Sequence, residues 1–170
     1  DRAQEGSARA GRGGGMSYVV TGLSPDPFLP LFGQSDAALA EQDVVRVRAD
    51  AKPGYPCRIT LEDAEPGETL LLLNHADHAV ATPYRNAYAI YVREAALAAN
   101  RFEESLPPVF TNRPIALRGY DAEGMLRGAA LALAQDVETR IGELFARPEI
   151  AYIHAHNAAH GCFAARIDRA

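Results

Sequence analysis

The sequence predicts an α+β protein: a mainly antiparallel sheet with one long amphipathic helix packed on a face and a C-terminal β-hairpin. Three observations carry that reading. Several short apolar runs are bounded by proline- and glycine-containing turns, the stretch from Met125 to Arg147 repeats its apolar residues at steps of three and four, and the chain closes with two strand-like runs around "AAHG".

Taken in order, residues 1–15, "DRAQEGSARAGRGGG", hold no large apolar side chain and read as a disordered leader or mistaken start ahead of a single α+β domain over residues 16–170. "SYVVTGL" reads as a strand, and "SPDPFLPLFG" as a loop in which three prolines forbid regular pairing. A short helix is expected at "SDAALAEQ", with Ser35 or Asp36 as N-cap. "VVRVRAD" alternates like a strand with one wet face.

"PGYPC" is a turn. After the Pro66-Gly67 turn, "TLLLLNH" is apolar on both faces, as a central strand would be. "AIYVREA" is a further strand candidate, while "VREAALAANRFEE" after it fits a helix equally well. "RPIALRGYDAEG" gives a strand ending at a turn. The long helix follows, with Leu126, Ala130, Leu133, Val137, Ile141 and Leu144 on one stripe and Gln135, Asp136, Glu138 and Glu143 off it; Arg147-Pro148 ends it. "EIAYIHAHN" and "CFAARIDR" then form the terminal hairpin. There is no internal repeat.

A chain of 170 residues buries roughly two thirds of the surface its unfolded form exposes, enough for one domain with its own core. With 48% apolar and 23% charged residues, its mix is that of a soluble globular protein and not of a disordered one. The net charge of −5 is spread over interspersed residues of both signs. That pattern excludes the clustered Lys/Arg footprint that nucleic acid or an anionic membrane requires. No apolar run reaches the ~20 residues of a membrane span, and without a secretory signal the default expectation is cytoplasmic. Cys57 and Cys162 are then expected as free thiols.

The densest chemistry lies in "YIHAHNAAHGC". On a strand, residues two apart share a face, so His154 and His156 point the same way, with Cβ atoms about 7 Å apart. That spacing offers two imidazoles to one divalent metal ion. A third ligand would come from His160, from Cys162, or from "NHADH" (His75, Asp77, His78), with His75 the preferred one. Against this stands an ordinary pair of hydrogen-bonded core histidines, since isolated His-x-His pairs are common.

Cys162 is a candidate nucleophile, and His154 and His156 are candidate acid–base groups, if an imidazole reaches the thiol. A four-residue loop places Asn157 opposite Cys162; a three- or five-residue loop puts His156 and Cys162 on one face. Gly161 suits the left-handed position that ends the three- or the four-residue form.

In "TPYRNAYAIYVREA", Arg85 and Arg93 are candidate clamps for an anion, with Tyr84 beside them, and Asn74, His75, Asn157 and Cys57 complete the candidate ligand-binding set. The competing reading pairs Arg93 with Glu94 or another surface acid. Neither a phosphate loop nor a nucleophile elbow is present, which sets those enzyme classes aside.

The segments "YPCRITLEDAEPGE", "LLLLNH", "TPYR" with "YVREA", and "YIHAHNAAHGCFAARIDRA" together resemble the bacterial domain-of-unknown-function family 1203 in order and spacing, over essentially all of residues 16–170. The resemblance implies a compact single-domain protein and no assigned activity. The positions it marks include Cys57, Arg58, Asn74, His75, Pro83, Tyr84, Arg85, Arg93, His154, His156, Asn157, Gly161 and Cys162.

Three functions fit the residues. The preferred one is a small anionic ligand bound in a cleft where Arg85 and Arg93 meet His154 and His156. The second is a metal-dependent hydrolase or oxygenase using His154 and His156. The third is a protein-interaction module, which would scatter these groups and expose an apolar patch instead.

Overall fold

The computed structural model describes residues 17–170; Met16 and the leader expected at residues 1–15 lie outside the described residues. Two antiparallel sheets and a single longer helix make up the architecture. A mainly antiparallel sheet protein with a C-terminal hairpin was expected, and it is found.

In chain order the strands are β1 (Tyr18–Thr21), β2 (Val45–Arg48), β3 (Thr69–His78), β4 (Asn86–Arg93), β5 (Arg101–Glu103), β6 (Ile115–Tyr120), β7 (Leu126–Ala132), β8 (Tyr152–Asn157) and β9 (Phe163–Arg169). The helices are α1 (Asp36–Ala40) and α2 (Val137–Phe145). The larger sheet runs β5-β1-β9-β8-β6-β7 and the smaller β2-β3-β4. α1 starts where expected, with Ser35 Oγ accepting from the backbone N–H of Ala38. The "VREAALAANRFEE" segment, open between strand and helix, resolves into the end of β4, a turn, and β5.

The long helix expected from Met125 to Arg147 does not form. Its first third is β7, paired with β6 from Ile115↔Ala132 onward, and α2 occupies only 9 residues after a 3-10 turn at Ala134–Asp136. The reason is local and topological. The Asp121 carboxylate caps a turn by accepting from the N–H groups of Glu123 and Met125, Gly124 supplies the positive φ of 86°, and the chain reverses onto β6. Alanine-rich "LRGAALALA" fits either period, so the partner strand decides. Gly128 within β7 is needed for close packing: a Cβ there would lie 2.8 Å from Arg147 Nη1 and 3.1 Å from Leu144 Cδ2.

Each face of the larger sheet has its own cover. On one face Ile115, Leu117, Ile153, Ala155 and Ile167 pack with Val137, Ile141, Leu144 and Phe145 of α2. On the other, Phe163 joins Leu71, Leu73, Ile90 and Val92 of the smaller sheet, with Phe28 and Ile59. Strand alternation does the sorting: Ile153 and Ala155 go to the helix, and Tyr152, His154 and His156 face the second sheet. Among the described residues, no helix is long and apolar enough to cross a membrane.

Candidate functional site

The terminal hairpin feeds two different places. Asn157 N–H donates to Cys162 O at 2.9 Å, Gly161 N–H donates back to Asn157 O at 2.7 Å, and Gly161 has a φ of 76°. This is the four-residue loop, Ala158 to Gly161. His156 pairs with Phe163 across the ribbon, and Asn157 sits opposite Cys162. Imidazoles and thiol therefore leave the ribbon in different directions.

On the inner side, His154 and His156 meet Asp77, which lies within the bulge between His75 and His78 near the end of β3. One nitrogen of each ring and one carboxylate oxygen all lie within 4.8 Å of one another. Asp77 Oδ2 is 3.9 Å from His154 Nδ1 and 3.9 Å from His156 Nε2, too far for direct hydrogen bonds. The three side chains are at most 4% exposed. Asp77 Oδ1 is held by the Asn86 amide at 2.8 Å, but Asp77 Oδ2 and His154 Nδ1 are buried without any partner.

His156 Nδ1 donates to Gly161 O at 3.0 Å, which leaves the lone pair on Nε2, the nitrogen facing Asp77. Arg118 Nη1 lies 3.5 Å from that same Nε2. Burial, the neighbouring His78 and His156, and the guanidinium groups of Arg166 and Arg118 push the His154 pKa down to about 3. His156 is also lowered, chiefly by burial. Both rings are neutral at physiological pH, as metal ligands or hydrogen-bond acceptors must be.

His78 has another task. Its Nδ1 donates to Tyr84 O at 2.9 Å, its Nε2 accepts from Tyr152 Oη at 2.7 Å, and its ring stacks on Tyr120 at 3.9 Å. It walls the cluster as a satisfied core histidine.

On the outer side, Asn157, His160 and Cys162 line a cleft of about 1290 Å³, together with Arg58 and Arg113. Arg58 is only 2% exposed. It sits in a tight buried loop: its N–H donates to Tyr91 O at 3.0 Å, and its carbonyl accepts from the Leu23 N–H at 2.8 Å. Neighbouring Gly22 has no room for a side chain, since a Cβ would stand 1.9 Å from Ile59 O. Arg58 Nη2 donates to Cys162 Sγ at 3.1 Å, while Nε is buried without a partner. Burial lowers its pKa, with the sulfur of Cys162 opposing. Arg113 is already committed, with Nη1 and Nη2 donating to Asp63 at 2.9 and 2.6 Å.

The other expected site residues fall elsewhere. Arg93 is saturated: Nε and Nη2 donate to Glu68 at 2.7 Å each, and Glu62 lies 3.5 Å away. The pair forms with Glu68, while Glu94, the sequence neighbour, is held by Arg46. Arg93 pairs with Leu70 and His75 with Tyr88, so five positions, roughly 16 Å at strand rise, separate Arg93 from the histidine end of β3. Arg85, Tyr84 and Asn74 are exposed and line neither the cluster nor the cleft. His75 packs against the Phe28 ring at 5.8 Å, and the β3 residue that lies beside His154 and His156 is Asp77, two residues on.

Cys57 is a buried structural thiol whose Sγ accepts from the N–H groups of Arg93 at 3.3 Å and Thr60 at 3.5 Å. Both cysteines are free, and the partner of Cys162 Sγ is a guanidinium and not an imidazole. Arg113 and Arg118 are functional candidates that the residue reading passed over, and Arg58 is one that only the family resemblance marked. "PCRITLED", with a cation between apolar neighbours, carried the available signal for Arg58.

No curated protein and no solved structure shows significant similarity to the chain. A family described as "Protein of unknown function (DUF1203)" matches residues 54–169, a span that holds Arg58, Asp77, His154, His156 and Cys162. The chain belongs to that family.

Proposed function

We propose that the protein binds a small organic anion, carrying a carboxylate or a phosphate, in the cleft beside the terminal hairpin. Arg58 carries this reading. A guanidinium is costly to bury unless a counter-charge and hydrogen bonds compensate it; here Nε has no partner and Nη2 meets only the sulfur of Cys162. An anion in the cleft would supply both. Asn157 and His160 line the same cleft and add polar contacts, while Arg113, also in the lining, is already paired with Asp63.

Isothermal titration with inorganic phosphate and with succinate, at constant ionic strength, tests this. The wild type is expected to bind one of the two saturably, with Arg58→Met weakening it at least tenfold and Arg85→Met leaving it unchanged. Equal responses of wild type and Arg58→Met to both anions would remove the reading.

A further inference from the structure

The buried group on the other side of the ribbon presents a separate problem. Asp77 brings a carboxylate to a place where its side chain is 1% exposed. Its contact to a neutral donor is the Asn86 amide. Among the described residues, no lysine or arginine nitrogen comes within 4.0 Å of it. Oδ2, His154 Nδ1 and His156 Nε2 all point into one space, two of them with no partner. A buried carboxylate needs a counter-charge and hydrogen bonds, and the two ring nitrogens beside Oδ2 stand 3.9 Å away, too far to donate to it.

We infer that Asp77, His154 and His156 form a binding site for one divalent transition-metal ion, tying β3 of the smaller sheet to β8 of the larger. Two imidazoles and a carboxylate are the donors that zinc and ferrous iron favour. Bonds of about 2.1 Å at near-tetrahedral angles place ligand atoms about 3.4 Å apart, so the 3.9 Å separations must close by about half an ångström. The outer contacts that orient metal ligands are already built: Gly161 O holds the His156 tautomer, and Asn86 holds the free carboxylate oxygen.

Arg118, partly exposed, has solvent to turn toward as the ion enters. An internal water donating to Asp77 Oδ2 and His156 Nε2 is the competing occupant. Unlike an ion, it would leave the carboxylate charge unmatched. None of the three ligands lines the cleft, so the metal site and the anion site succeed or fail independently.

The test uses protein purified without a polyhistidine tag, stripped with EDTA and titrated with Co²⁺ and Zn²⁺. One equivalent is expected to bind, with visible Co²⁺ absorption and a rise in melting temperature. Asp77→Asn, which keeps the shape of the side chain, and His154→Ala and His156→Ala are expected to weaken Co²⁺ binding at least tenfold, while His75→Ala and His160→Ala bind as the wild type does. Absence of stoichiometric Co²⁺ and Zn²⁺ uptake by folded wild-type protein overturns the inference, as does unchanged binding in Asp77→Asn.

Discussion

One β-ribbon supplies both candidate sites, and the two differ in almost every physical respect. The inner group is buried and anionic in its unmet charge, with imidazole rings kept neutral by desolvation. The outer group is cationic in its unmet charge and sits at the wall of an open cleft. Each breaks the rule that buried polar groups are paired, but the inner one lacks a cation and the outer one an anion. Clustered histidines in sequence therefore need not serve one site: alternation sends each successive residue to a different solvent environment.

The comparison can be broken first through pH. In metal-free protein, the unfolded chain protonates His154 below its ordinary value of 6.5 while the folded protein resists down to about 3. Stability is fully present above pH 6.5 and is lost as pH falls through that window, by on the order of 4 kcal/mol. Urea denaturation at pH 7 and pH 4 measures it, and His154→Leu is expected to flatten the difference. An equal slope in the variant would show that burial at His154 does not set it.

On the cleft side, Arg113→Ala strips the bidentate partner from Asp63. Burial works against that carboxylate, but the hydrogen bonds from Arg113 and from Gly54 N–H outweigh it and hold its pKa below the ordinary range. Orphaning it is expected to cost about 3 kcal/mol at pH 7, read by the same denaturation. A loss below about 1 kcal/mol would make the pair a surface contact.

Gly22→Ala forces a Cβ against the carbonyl of Ile59. It should cost about 2 kcal/mol or more, and it should weaken anion binding because the chain that carries Arg58 must shift. The smallest expected effect belongs to Arg58→Met, which removes a buried charge with no counter-ion. Its stability is expected to stay within about 1 kcal/mol of the wild type, whereas a drop of about 3 kcal/mol would make Arg58 structural and not a ligand group.

Much of the fold was legible in the sequence because its signals were local. The four leucines of β3, the cap at Ser35 and the hairpin around Gly161 each carry their cause within a few residues. The region from Met125 to Arg147 misled because alanine fits both periods, and the deciding contact, β6, is remote. The same limit applied to the site. His154 and His156 sharing a face follows from spacing alone, but choosing Asp77 over His75 required the β3 bulge and the packing of one sheet on another. Arg58 was marked by the family resemblance but given no role, because nothing in "PCRITLED" states that Cys162, 104 positions later, is its neighbour.

The pairing of the terminal ribbon skips a residue. Ala155 faces Ala165 and His156 faces Phe163, so Ala164 is the extra unit in β9, and it joins Ala165 on the helix side. Losing Ala164 would restore an even ladder without reversing any other side chain. In most paired strands a one-residue change in length scrambles what lies inside and outside. Here the spare alanine acts as slack, so this ribbon can shorten by one while imidazoles and thiol keep their opposite assignments.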